Sequence, residues 1–457
     1  TKAYAEQIGA DFYAKDANET VIFDAFYRDN PDGNGFAIAA GLEQVIEYIE
    51  DLHFDPEDID YLRSTGIFKE DFLEYLADFK FTGDIYAVPE GTVVFPREPL
   101  VKVIAPIMQA QLVETALLNI INHQSLIATK ANRIVRAARG RTVLEFGSRR
   151  AQGSSGAIDG ARAAFIGGCK GTACTISDQL YGVPAGGTMA HAWVQTFDTQ
   201  YDAFRAYCEI YPDNPVLLVD TYNTLKSGVP DAIRAFNDVL KPRGLTKCGI
   251  RLDSGDMAYL TRQARQMLDE AGWTECKITV SNSLDEIIIQ DLLIQGAQID
   301  AFGVGERLIT ARSEPVFGGV YKLVAYEDDE GNVVPKIKLS ENVSKITTPQ
   351  YKRVYRLFGN ETGKAIGDWL CTYDEDVKSN CNPDGSLTIF DPDATWKKKT
   401  INNFTAKELQ KPIFVGGRLV YDMPSLEEIQ QYCADQMETM WDEVKRFDNP
   451  HNYYVDL

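Results

Sequence analysis

Apolar positions fall in short runs along this chain, and the spacing between runs changes twice. Up to about residue 115, "TVIFDAFYR", "DIYAVPEGTVVFP" and "LVKVIAP" have the run length and β-branched content of strands, and "GLEQVIEYIEDL" has the 3.6-residue period of a short helix. Strands and helices are mixed here rather than alternating, which predicts an α+β layer. From about 116 to 326 the pattern opens on the helical stretch "LVETALLNIINHQSLIATKANRIVRAAR" and then alternates. "TVLEF" precedes a helix near 155–166, "VLLVD" precedes "VPDAIRAFNDVL", "CGIRLD" precedes "MAYLTRQARQML", "KITVS" precedes "LDEIIIQDLLI", and "IDAFGVG" closes the series. Units of this kind predict a parallel sheet with helices on its faces. In the helix after "CGIRLD", the spacing puts Leu260, Ala264, Met267 and Ala271 on the inward face. From about 327 to 457 hairpins return, with "YKLVAYEDDEGNVVPKIKLS" as strand, acidic turn, strand. A last helix starts at Ser425, with Glu428 at capping-box spacing.

The apolar strands of the middle stretch share one feature: each ends in polar or glycine residues. In order these are Arg149-Arg150, Thr188 with His191, Asp220-Thr221, Asp253-Ser254, Ser281-Asn282 and Gly303-Gly305. In parallel α/β folds the carboxyl ends of strands carry the active site. Each pair alone reads equally well as a turn or a helix cap. Six in succession, mixing cations, carboxylates, amides and glycines, exceed what capping requires.

Composition narrows the chemistry. The chain has 457 residues, enough for more than one core. Its net charge is −21, which disfavours nucleic acid and anionic membranes as partners. An anionic small substrate would therefore need a local cationic pocket. No apolar run approaches the roughly 20 residues of a membrane helix. The opening "TKAYAEQIGADF" has no apolar core of a secretion signal, and the missing initiator Met implies a few further residues before it. The eight cysteines are scattered with no CxxC pair, so no zinc site and reduced cytoplasmic thiols are expected.

Arg149 and Arg150 follow a strand end, where both side chains can turn to one ligand, and guanidinium forks match carboxylate and phosphate. Phe146 adds a flat apolar face. The alternative is a structural ion pair with Glu145. His191, one of four histidines, can serve as a base, a ligand or a phosphate acceptor, or be an ordinary core or surface histidine. In "RLDSGD", Asp253 can accept from sugar hydroxyls, while Ser254 or Asp256 can cap the next helix. The glycine pair of "FGVGERL" allows close backbone approach to phosphate.

Taken in order, "TKAY", "FGSRRAQG", "GGTMAHAW", "LLVDTYNTLKSGVP", "RLDSGDMAYL" and "FGVGERLITA" resemble nicotinate phosphoribosyltransferases, a type II phosphoribosyltransferase family, over essentially the whole chain. The resemblance implies an incomplete α/β (TIM-like) barrel with an open-faced α+β sandwich domain built from both chain ends. The divisions would be 1–115 for the N-terminal part of the sandwich, with an N-terminal helix reaching the partner's site, 116–326 for the barrel, and 327–457 for the C-terminal part. It implies a cytoplasmic homodimer with shared active sites. The implied reaction converts nicotinate, 5-phosphoribosyl 1-pyrophosphate, ATP and water into nicotinate mononucleotide, pyrophosphate, ADP and phosphate. Mg2+ would accompany the phosphates.

By the same resemblance Phe146 would stack on the pyridine ring, with Tyr4 of a second chain on the other face. Arg149 and Arg150 would meet the nicotinate carboxylate and phosphates. Asp220, Arg251 and Asp253 would bind ribose and phosphates, with Thr188 and Ser254 beside them. Gly303 and Gly305 would admit a phosphate, and His191 would take the phosphate of ATP. Ala192 follows His191 where the family usually has Ser, and Glu306 stands near the phosphate site where a small polar residue is common. The alternatives are a nicotinamide phosphoribosyltransferase and a non-catalytic pyridine-nucleotide-binding homologue. The former carries Gly in place of Arg150 and an acidic residue in place of Ala173 of "KGTAC"; retention of His191 and Asp253 weighs against the latter. With Arg150 taken as a buried cation, nicotinate is expected to be preferred over nicotinamide by at least about 4 kcal/mol of transition-state binding.

Overall fold

The computed structural model describes residues 19–341, 346–392 and 394–457; Tyr4 lies outside them. These residues form two compact units, one of 19–126 with the described residues from 316 onward and one spanning Ile127–Pro315.

The first unit gathers strands from both ends of the chain. Its N-terminal strands are β1 (Thr20–Tyr27), β2 (Ala37–Ile38), β3 (Asp84–Ala87), β4 (Val93–Val94) and β5 (Val101–Pro106). The second unit supplies β6 (Thr142–Glu145), β7 (Val216–Leu218), β8 (Gly249–Leu252), β9 (Lys277–Ser281) and β10 (Ala301–Val304). The chain then returns with β11 (Gly319–Glu327), β12 (Val333–Pro335), β13 (Lys352–Gly359), β14 (Ala365–Thr372), β15 (Leu387–Phe390), β16 (Lys398–Ile401), β17 (Phe404–Glu408), β18 (Lys411–Val415), β19 (Arg418–Leu419) and β20 (Val455–Asp456). In the first unit a seven-stranded sheet runs β12-β11-β1-β5-β3-β18-β19, so strands distant in sequence pair directly. The hairpin and the final helix stand where the sequence puts them: Ser425 accepts from the Glu428 amide, and Glu428 accepts from the Ser425 amide at 2.8 Å.

A buried ion pair ties a second, four-stranded sheet of this unit. Arg356 on β13 faces Asp368 on β14 in register. Both side chains are fully buried. The guanidinium donates to Asp368 from Nε at 2.9 Å and from Nη2 at 2.6 Å, and the Tyr453 hydroxyl donates to the same carboxylate at 2.9 Å. Removing one partner leaves the other charge buried without its counter-ion. Asp368→Asn should therefore destabilise the protein by about 3 kcal/mol in denaturant titration, and an apolar pair at both positions should recover most of that loss. Unchanged stability of the single variant would refute a structural role for the pair.

The second unit carries the alternating pattern read from the sequence. Its five strands are all parallel, in the order β6-β10-β9-β8-β7. Parallel bridges Glu145–Thr172 and Thr172–Ala185 extend the β6 edge. Helices Gly153–Ile166, Met257–Glu270 and Glu286–Ile294 follow β6, β8 and β9. The inward face of helix Met257–Glu270 differs from the sequence expectation. Met257, Ala258, Thr261, Ala264 and Leu268 are buried, while Leu260, Met267 and Ala271 are only half-buried. Thr261 can face the core because its hydroxyl donates to the Met257 carbonyl at 2.7 Å.

Candidate active site

Parallel register brings the strand ends of the second unit side by side. Glu145 pairs with Val304, Gly303 with Ser281, Leu252 with Val280, and Arg251 with Leu218. Just beyond these pairs a cavity of about 340 Å3 is lined by Phe146, Arg149, Arg150, Thr188, Arg251, Asp253, Gly303 and Gly305, with Ser281 and Glu306. The inward positions beneath it are small, among them Gly249, Thr279 and Ala301, and they border a hollow of about 920 Å3 that shares Phe146, Gly187 and Thr188 with the cavity.

The turn after β6 is set by Glu145. Its buried carboxylate accepts from the Gly147 amide, and from the Thr172 hydroxyl at 2.6 Å. Burial pushes this carboxyl above its ordinary range against the pull of those two bonds. The Ala173 amide donates to the Glu145 carbonyl at 2.9 Å, so one residue fixes both the Phe146 turn and the Ala173 segment. Glu145 is thus engaged with backbone and hydroxyl groups, away from the ion pair considered from sequence. Gly147 has no room for a side chain: a Cβ there would lie 2.6 Å from Ile309 and 2.7 Å from the Gly305 carbonyl. Beyond it Ser148–Arg150 form one 3-10 turn that leaves both arginines exposed. The Arg150 side chain is 61% exposed, and its Nε lies 3.9 Å from Glu306. Gly303 makes room for Phe146, since a Cβ would meet the ring at 2.5 Å.

Arg251 is the hub of the polar network. Its Nε donates to Ser281 Oγ at 3.0 Å, its Nη1 to Thr188 Oγ1, and its Nη2 to Asp253 Oδ1 at 3.4 Å. Ser281 in turn donates to Asp253 Oδ1. Asp220 Oδ2 accepts from the Asp253 amide at 2.8 Å and from Ser254 Oγ at 2.6 Å, so Ser254 braces Asp220 and Asp220 braces the Asp253 loop. Asp220 Oδ1 is buried with no hydrogen-bond partner among the described residues, an oxygen suited to a hard cation carried in by phosphates. No group of three or more His, Cys, Asp or Glu with metal-holding geometry occurs among the described residues.

His191 opens the short helix His191–Gln195. Its Nδ1 lies 3.0 Å from Thr221 Oγ1, and its Nε2 lies 3.8 Å from Asp253 Oδ2. The imidazole is 40% exposed and open to a ligand. Asp256 caps helix Met257–Glu270 by accepting from the Tyr259 amide at 3.0 Å, which is the plain role weighed for this motif.

Eleven of the twelve residues singled out from sequence thus fall on one set of strand ends; Tyr4 is outside the described residues. Ser281 and Thr221, read from sequence only as polar strand-end residues, prove to orient Arg251, Asp253 and His191. Asn282 and Ser283 also line the cavity with left-handed backbones, at φ 95° and φ 48°. Such conformations are uncommon for residues with side chains and cluster at binding sites. Asparagine tolerates this region better than most residues, whereas nothing in the residue type of Ser283 signals it.

Similarity to known proteins agrees with this geometry. Residues 2–122 match the nicotinate phosphoribosyltransferase (NAPRTase) N-terminal domain, and residues 351–457 match the nicotinate phosphoribosyltransferase C-terminal domain. A nicotinate phosphoribosyltransferase of Bacillus subtilis (strain 168) is 46% identical over 452 residues, covering 98% of this chain and 90% of the relative. The crystal structure of human nicotinic acid phosphoribosyltransferase superposes with a TM-score of 0.87 at 26% identity, covering 100% of this chain and 97% of the other. A nicotinate-nucleotide pyrophosphorylase structure from Pyrococcus furiosus gives a TM-score of 0.70 at 25% identity, covering 96% and 94%.

Proposed function

The chain belongs to the nicotinate phosphoribosyltransferase family, and from that premise we propose that it transfers the phosphoribosyl group of 5-phosphoribosyl 1-pyrophosphate to nicotinate, coupled to ATP, in NAD salvage. The observation that carries this reading is the array at the strand ends. An aromatic face, three arginines and a braced carboxylate line one cavity.

Phe146 supports one face of the pyridine ring. Arg149 and Arg150 attract its carboxylate. The ring nitrogen attacks C1′ of the ribose, the bond from C1′ to the pyrophosphate oxygen breaks, and pyrophosphate leaves with the electron pair. Arg251 offsets the charge growing on the leaving group, and Asp253 faces the ribose hydroxyls and the positive charge developing at C1′. Asp220, whose Oδ1 is buried without a hydrogen-bond partner among the described residues, and Asp253 would be the oxygen donors for Mg2+ bound to the phosphates, and the ion would supply charge neutralisation there. His191 accepts the γ-phosphoryl group of ATP on an imidazole nitrogen, with ADP as leaving group, and water later releases the phosphate. A homodimer with Tyr4 donated across the interface completes the reading. No described helix is long and apolar enough to cross a membrane.

Exposure of Arg150 lowers the substrate preference expected from sequence. A half-solvated cation left without a carboxylate forfeits one charge-assisted bond, about 1.5–3 kcal/mol, rather than the larger penalty of a buried unpaired charge. Nicotinate should therefore exceed nicotinamide in kcat/KM by about 10- to 150-fold. Arg150→Gly should erase most of that difference. Assay of both pyridines, with and without ATP and with pyrophosphate release as the readout, tests the reading. Equal use of the two by the unmutated protein, or no pyrophosphate from either, would overturn it.

A further inference from the structure

The cavity that must take up anions contains a carboxylate that nothing in the transfer chemistry requires. Glu306 opens the short helix Glu306–Ile309 directly after Gly305 and lines the cavity. Its Oε2 lies 3.9 Å from Arg150 Nε, and its Oε1 accepts from Arg312 Nη1 at 3.3 Å. Asp253, the other carboxylate of the lining, is fixed by Arg251 and Ser281. Among the described residues Glu306 is held by two side chains that are each about 60% exposed. Ion pairs of that kind are weak and easily exchanged.

We infer that Glu306 is a built-in stand-in for the substrate anion: it occupies Arg150 in the empty site and weakens the binding of phosphate- and carboxylate-bearing ligands. This rests on the reaction proposed above, whose substrates and product are all anionic. A ligand anion that reaches Arg150 must displace Glu306 or lie within a few ångströms of a like charge. Either event opposes binding, and the effect is greatest for the most highly charged ligands. Product with both a carboxylate and a phosphate then leaves more readily than the arginines alone would allow. The residue sets affinity and does not touch the reacting atoms.

Glu306→Gln keeps the shape and removes the charge. Calorimetric titration with nicotinate mononucleotide and, separately, with 5-phosphoribosyl 1-pyrophosphate should show binding tighter by about tenfold in Glu306→Gln than in the unmutated protein, with Glu306→Asp near the latter. The gain should shrink as salt rises from about 50 to about 500 mM, because screening acts on exposed charges. Product inhibition should strengthen in parallel. Damage to the fold cannot produce a gain in affinity, so the direction of change separates this role from a structural one. Unchanged or weaker binding by Glu306→Gln, alongside normal binding by the unmutated protein, would overturn the stand-in and leave the reaction standing. Failure of the unmutated protein to bind either ligand would remove both.

Discussion

His191→Ala should hydrolyse no ATP yet retain slow, ATP-independent synthesis of nicotinate mononucleotide. The imidazole is a good phosphoryl acceptor near neutral pH. Its Nδ1 is oriented by Thr221 and its Nε2 faces the Asp253 carboxylate at 3.8 Å, yet it stays exposed enough for a nucleotide to reach it. The groups assigned to the glycosyl transfer, Phe146, Arg149, Arg150, Arg251 and Asp253, do not depend on it for their positions. Arg251 is anchored by Ser281 and Thr188, and Asp253 by the Asp220 contact to its amide. Losing the imidazole should therefore uncouple ATP without dismantling the transfer site. A phosphate on His191 would add negative charge beside Arg251 and the pyrophosphate site, which Mg2+ and Arg251 offset, so tighter 5-phosphoribosyl 1-pyrophosphate binding is expected only while the label is held. The unmutated protein given γ-labelled ATP should carry acid-labile, base-stable label on the peptide containing His191. Ala192 beside it should let some ADP form in excess of product. Label on another peptide, or ATP hydrolysis by His191→Ala at the normal rate, would dispose of this role.

Arg251→Met should lower kcat/KM for the transfer by about a thousandfold, with little change in thermal stability. Arg251 is mostly buried and spans three acceptors on three chain segments, Thr188, Ser281 and Asp253. Methionine keeps much of the apolar stem but leaves Asp253 without its cation and the leaving pyrophosphate without this positive neighbour. Two charge-assisted contacts at about 1.5–3 kcal/mol each amount to roughly three decades. Arg251→Lys should recover only part, because the three N–H donors of an ammonium radiate from one atom and cannot span the acceptors reached by Nε, Nη1 and Nη2. Full activity of Arg251→Met in steady-state assays would show that the hub is structural.

Much of this site was legible because each strand of the second unit carries its own chemistry at its end. Apolar runs such as Lys277–Ser281 give the strand, parallel alternation gives the direction, and direction puts Arg251, Asp253, Ser281 and Gly303 on one rim. Where the sequence misled, a polar group had found a local partner that residue type does not reveal. Thr261 turns into the core by bonding its own helix, so the apolar pattern at Leu260 and Met267 points to the wrong face. Glu145 sits in a buried strand because Gly147 and Thr172 satisfy it, a pairing that residue type does not reveal and that takes the place of the structural ion pair weighed as an alternative. The two arginines stand on a turn open to solvent in this chain rather than at a buried strand end.

The contact between Gly303 and Phe146 constrains how this protein can diverge. The ring occupies the volume that any side chain at 303 would need, since even a methyl carbon there would lie only 2.5 Å from it. A first mutation at 303 therefore displaces the aromatic face before any compensating change exists. A first mutation that shrinks residue 146 opens that volume but forfeits the platform for the ring. Single-step paths through either position cross a functional valley, whereas the two changes together need not. Lineages that alter the specificity of this rim should therefore do so first at Arg150, Ala173 or Glu306, where no neighbour holds the residue in place by its bulk, and keep the glycine and the phenylalanine as an inherited pair.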